Sequence, residues 1–212
     1  MGGISLAPKH NVLYSGGFVS ILVKRILGLT VLAVLLTGCA NTTPPAKPHN
    51  LCGVFKEKRS WYKHAKASNK RWGTPVQVMM SIMYQESSYK HDAQPPRPWF
   101  LFIPLPRKSS AYGYAQAQNG TWDQYIKEAG GLFSDRDDFE DAIDFIGWYT
   151  YKSRKLNGTS LWAADQQYLN YHEGWYGYRK GTHKKKAWLL KTAGKVKGRA
   201  STYGEQLRRC KL

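Results

Sequence analysis

Strand-like alternation of apolar and polar residues is nearly absent from this 212-residue chain, which excludes a sheet-based core and leaves a mainly α fold. No internal repeat is visible, so a solenoid is excluded too. Cysteine is scarce, with only Cys39, Cys52 and Cys210. His49 alone stands at ligand spacing beside Cys52, and no second cysteine or histidine does beside Cys210, which argues against a metal site, and no cofactor is expected. Acids are few as well: 14 Asp and Glu face 32 Lys and Arg, a net charge of +18 that implies polyanionic surroundings. The one long apolar run, Ile26 to Leu36, has the length of a signal-peptide core and is too short to span a bilayer comfortably.

Lys24 and Arg25 precede that run, and it ends in Leu36-Thr37-Gly38-Cys39, which resembles a bacterial lipobox. The resemblance implies a lipoprotein signal peptide over residues 1–38, cleaved before a lipidated Cys39 that anchors the protein to a membrane. The competing reading is a simple N-terminal membrane anchor with a chance cysteine. Ala40 follows the cysteine with no Asp to suggest inner-membrane retention, so lipoprotein sorting implies the outer membrane of a Gram-negative envelope, facing the periplasm. Residues 39–52 then read as lipidated cysteine and tether, since Ala40 to Asn50 (ANTTPPAKPHN) is rich in Pro, Thr and Asn, and residues 53–212 read as one domain. Losing Lys9, Lys24 and Arg25 with the leader lowers the charge from +18 to +15. Residues 179–212 hold 12 of the basic residues against one acid, Glu205. They read as a solvated basic tail, or as an electrostatic hold on anionic wall or membrane. Nucleic acid is a poor partner for an exported lipoprotein. With Cys39 acylated, Cys52 and Cys210 bracket the folded region in an oxidising compartment and are expected to form a disulfide.

Helices are expected over Val54–Trp72, Thr74–Ser87, Thr121–Ala129, Asp137–Leu156 and Leu161–Tyr171, with weaker candidates over His183–Thr192 and Thr202–Arg209. Six acids between Asp135 and Asp144 read as a solvated helix start favoured by the helix dipole, rather than as metal ligands. Five prolines make residues 91–110 a loop. Its apolar centre, Trp99 to Ile103, either lies over a substrate groove, touches lipid, or caps the core.

The most informative stretch is Thr74 to Tyr89. Thr74 suits an N-cap and Pro75 the first helical position. Val76, Met79, Met80 and Met83 then mark a buried stripe at i, i+3, i+4 and i+7. Glu86 falls within that arc. Held there, its carboxyl loses solvation in the charged form, its pKa rises, and it suits a general acid for glycosidic cleavage. The plain alternative is a helix-end glutamate that snorkels to water.

Three segments, Glu86-Ser87-Ser88-Tyr89, Ser110-Ala111-Tyr112-Gly113-Tyr114-Ala115-Gln116-Ala117 and Leu169-Asn170-Tyr171-His172-Glu173-Gly174, together resemble the motifs of the soluble lytic transglycosylase (SLT) family, which has a goose-type lysozyme-like fold. Glu86-Ser87 matches the Glu-Ser motif, Gly113 and Gln116 the ends of Gly-Leu-Met-Gln, and Tyr171 and Gly174 the outer positions of Ala-Tyr-Asn-Ala-Gly. Tyr114-Ala115 and His172-Glu173 depart from the pattern. The resemblance implies a monomeric enzyme on peptidoglycan glycan strands. Glu86 would be its catalytic acid and base, and Ser87, Gly113, Tyr114, Gln116, Tyr171, His172 and Glu173 would lie at the substrate. Ser87 and Gln116 would position sugar or Glu86, Tyr171 would hydrogen-bond the acid, and His172 is expected as a packed core histidine. Two alternatives stay open. A lysozyme-type hydrolase would use Glu173 as the second carboxylate, and a non-catalytic wall-binding lipoprotein would only hold glycan.

Overall fold

The computed structural model describes residues 42–212, so the leader, the lipobox and Cys39 lie outside the described residues. Among the described residues seven α-helices follow one another: α1 Leu51–Glu57, α2 Arg59–Trp72, α3 Val76–Ser87, α4 Asn119–Glu128, α5 Phe139–Asn157, α6 Ala164–Lys180 and α7 Ala187–Arg208. A 3-10 turn, Thr182–Lys185, joins α6 to α7, and two short strands, β1 Trp99–Phe100 and β2 Ile103–Pro104, form an antiparallel hairpin between α3 and α4.

Helix α3 is the centre of the molecule, packed by α2, α5, α6 and α7. The Val76, Met79, Met80, Met83 stripe is buried as expected, and Val78, Ser81 and Ile82 are buried as well, because neighbours cover almost every side of this helix. Thr74 does not cap it. The Thr150 hydroxyl donates to the carbonyl of Ile146, so the buried Thr74 hydroxyl donates to Thr150 Oγ1, 2.7 Å away on α5. The chain enters α3 through Pro75, whose carbonyl accepts from the Val78 amide at 2.9 Å.

Elsewhere capping and composition act as the sequence suggests. Asp138 caps α5 by accepting from the amides of Glu140 and Asp141, and Glu140 and Asp141 sit in its positive first turn. Gly158 then ends α5 in a left-handed conformation.

Four expectations need correcting. The first helix is two, because the backbone of Lys58 leaves the helical region and re-aims the chain, so that Leu51, Val54 and Phe55 of α1 and Trp61 and Ala65 of α2 all reach the core. The helix expected to end at Tyr171 continues to Lys180, bent at Gly174. The two weak C-terminal helices are one. Along α7, Leu189, Ala193, Val196, Ala200 and Tyr203 are buried at alternating spacings of four and three, so the basic segment is a docked helix with a cationic outer face rather than a tail.

The tether, finally, is strapped down at its C-terminal end. Tyr203 donates to the carbonyl of Pro48 at 2.6 Å, Gln206 donates to that of His49, and Gln206 Oε1 accepts from the Leu51 amide, which opens α1 two residues before the expected domain start. Cys52 of α1 is disulfide-bonded to Cys210 just beyond α7, with Cα atoms 5.7 Å apart.

Candidate active site

Glu86 occupies the last turn of α3, half-buried beneath α6. Helix α3 stops abruptly because Ser88 and Tyr89 both adopt left-handed backbone, at φ 53° and 64°. Non-glycine residues rarely do so, and the cost is tolerated where the surroundings enforce it. Ser87 is part of that enforcement. Its buried hydroxyl donates to the carbonyl of Met83 and accepts from the amide of Tyr89, so it fixes the helix end that carries Glu86 and does not reach out toward a ligand.

Burial lifts the Glu86 carboxyl from 4.5 to about 7, and a hydrogen bond from the Tyr168 hydroxyl partly opposes the rise. Tyr168, on α6, was not among the sequence candidates. A signal for it existed, since it lies three residues before Tyr171 and hence on the same side of a helix. Burial first, and then the charge of a nearby ionised Glu86, push the Tyr171 hydroxyl up, so its ring lies near the acid. Its hydroxyl, however, donates to the carbonyl of Ala115 at 2.6 Å. Tyr168, rather than Tyr171, is thus the hydroxyl that lowers the acid's pKa, and Tyr171 instead ties α6 to the segment before α4.

That segment is held by Gly113 and Gln116. Gly113 has φ 77°, and a Cβ there would run into the Arg136 carbonyl, so only glycine fits the turn. Gln116, also left-handed, donates from Nε2 to the carbonyls of Ala93 and Gly113 at 2.6 and 3.0 Å. Tyr114 is not at a substrate surface. It is buried against the rings of Trp61 and Phe139, filling core volume where the SLT pattern has Leu.

A cleft of about 280 Å³ opens beside these residues, lined by Gln116, Gln118, Tyr149, Tyr171, His172 and Gly174 among others. Glu86 does not itself line it. Tyr171 lines the cleft and lies near enough to Glu86 to feel its charge, so the acid adjoins this end of the cleft. Gly174, at φ 73° and ψ 159°, interrupts α6 at the rim with a conformation open essentially to glycine alone.

His172 is exposed rather than packed in the core, with its ring edge-on to Trp188 and its Nδ1 3.0 Å from Glu173. Glu173 lines the cleft as expected, but its carboxylate is held in an ion pair. Lys186 Nζ lies 2.7 and 3.0 Å from its two carboxylate oxygens, and the Thr182 hydroxyl donates to it as well. Burial by itself would raise its pKa, but Lys186, Thr182 and His172 together bring it down to about 2.

A helical domain built round one central helix, with a single desolvated carboxylic acid at that helix's C-terminal end and a cleft beside it, defines a lysozyme-like α protein. More particularly, the transglycosylase SLT domain model matches residues 27–210, and the chain belongs to that family. Membership makes it a cell-wall-acting protein of the lytic transglycosylase type, with peptidoglycan glycan strands as its substrate. No curated protein matches the chain.

Proposed function

We propose that the protein is a lytic transglycosylase that cleaves the MurNAc-GlcNAc bond with Glu86 as its one catalytic carboxyl. The observation that carries this reading is Glu86 itself, a carboxyl held near pKa 7 at the end of the central helix. Near neutral pH a large fraction is protonated and able to protonate the glycosidic oxygen. The resulting carboxylate then accepts the proton of the MurNAc 6-hydroxyl as that oxygen attacks C1, leaving a 1,6-anhydro end. The substrate's own N-acetyl group stabilises the cationic centre, so no second carboxylate is needed. The ion pair of Glu173 with Lys186 favours this route over hydrolysis, because a carboxylate whose pKa is near 2 is a poor base for water. In this reading Gln116, Tyr171, His172 and Gly174 border the sugar. Ser87, Tyr168 and Gly113 position the acid and the cleft wall.

The lipobox reading adds location. Cleavage after residue 38, lipidation of Cys39 and an outer-membrane address would set residues 53–212 and the short strap before them on the wall, as a monomer. Glu86→Gln is nearly isosteric and has no proton to give, so cleavage of purified sacculi should fall by at least about a hundredfold while the circular dichroism spectrum is unchanged. Mass analysis of the wild-type products should find anhydro ends. Dominant reducing ends would point to a hydrolase and return attention to Glu173.

A further inference from the structure

Among the described residues the β1-β2 hairpin carries the longest run of exposed apolar side chains, and the proposed chemistry leaves it unused. Trp99, Phe100, Leu101, Phe102 and Ile103 are 60 to 88 % exposed, and the strands pair with each other and pack on no helix. These side chains therefore do not cap the core, one of the placements open from the sequence. Contiguous exposed apolar surface of this kind marks a contact site.

Four observations identify what covers it. The turn itself is apolar, with Leu101 at φ 54° and Phe102 the most exposed of the five, where a hairpin facing water would use Asn, Asp or Gly. Between Pro98 and Pro106 the only hydrogen-bonding side chain is the Trp99 indole. Three of these nine residues are prolines without an N–H, and Leu105 N donates to Pro98 O at 2.9 Å, so few backbone donors are left to desolvate. The flanks are basic: Arg97, Arg107 and Lys108 form no ion pair among the described residues, with Arg97 and Lys108 exposed and Arg107 partly buried, donating through Nε to Gln94. Finally, only five residues lie between Cys39 and the buried Pro45, an extended reach of about 20 Å, so an anchor at Cys39 would hold the domain close to a bilayer.

We propose that this hairpin inserts its Trp-Phe-Leu-Phe-Ile tip into the interfacial layer of a lipid bilayer carrying anionic headgroups, with Arg97, Arg107 and Lys108 on the phosphates. The contact goes beyond the glycan chemistry and is separate from any lipid on Cys39. Apolar rings enter the headgroup and acyl boundary while basic side chains stay at its surface, the arrangement of interfacial membrane anchors.

The test uses residues 42–212, which contain the whole described core and the disulfide but no anchor. This form should co-float with vesicles of phosphatidylglycerol and phosphatidylcholine, and more weakly with phosphatidylcholine alone. Phe100→Ser with Phe102→Ser should weaken binding to both vesicle types by about a hundredfold, since two buried rings are removed. Arg97→Gln, Arg107→Gln and Lys108→Gln together should weaken only the anionic binding, and high salt should reproduce that loss. Both variants should keep the parent's helical circular dichroism and its rate on a short soluble glycan fragment, because every changed residue lies outside the core and the site. Failure of the parent to float, or equal flotation of the ring variant, overturns the proposal. So does concentration-dependent dimerisation of the parent that the ring variant abolishes without any vesicle binding, which would assign the hairpin to a second copy of the chain.

Discussion

At the scale of single residues, the balance at Glu86 lies between burial, which raises its pKa, and the Tyr168 hydroxyl, which lowers it. Tyr168→Phe removes the lowering contribution, so the pKa should rise further and the alkaline limb of the pH-rate profile should move to higher pH. An unmoved limb would show that Tyr168 does not tune the acid. The same shift bears on stability. A carboxyl at 4.5 when unfolded and about 7 when folded binds more protons in the native state between those values, so native stability falls as pH rises through that window. The full effect is about 3 kcal/mol, complete above pH 7. Glu86→Gln has no proton to lose. Urea unfolding at pH 5 and pH 9 should therefore show the variant gaining on the parent by up to that amount at the higher pH. The sequence made Glu86 legible because apolar spacing put it on a buried arc. It did not reveal that Tyr171 donates to Ala115, since the partner of a hydroxyl depends on how two distant segments meet.

At the scale of elements, the junction of α6, the 3-10 turn and α7 contains a partly buried ion pair. Glu173 is almost wholly enclosed, and Lys186 meets it from the residue before α7. Lys186→Ala leaves a buried carboxylate short of its cation and should cost about 1–3 kcal/mol in urea unfolding. The sign with pH is opposite to that of Glu86. A carboxyl depressed to about 2 contributes fully above its unfolded value near 4.5 and loses that contribution as pH falls toward 2, so the parent and variant should converge in acid. Spacing showed α3, α4 and α5 to within a few residues. It missed the continuity of α7 because Gly194, Gly198 and Gly204 dilute the pattern, and the helix is held by packing against α3 and α6 instead.

At the scale of the whole molecule, α1 and α7 close the domain. Their disulfide spans 158 residues of chain. In the chain-entropy account a loop of that length stabilises the fold by about 5 kcal/mol, with native strain reducing the measured value. Cys52→Ser with Cys210→Ser should lower the urea midpoint accordingly, while cleavage of sacculi under native conditions should persist, because Glu86 is held by α3, α5 and α6 rather than by the bridge. Loss of activity in a variant that is still folded would show that the ends of the chain shape the site.

By itself the sequence determined the helical class, the central apolar helix with Glu86 on its buried side, the two cysteines that pair, and the three motifs by which the family is recognised. These are local signals: side-chain spacing, capping chemistry and short patterns are written in neighbouring residues and survive translation into structure. Tertiary structure alone decided that Tyr168 and not Tyr171 reaches the acid, that Tyr114 fills the core, that Glu173 is neutralised by Lys186, and that the basic segment is a packed helix. Each depends on which side chain arrives first at a buried polar group or an empty volume, and that is settled by how separate segments of the chain pack together.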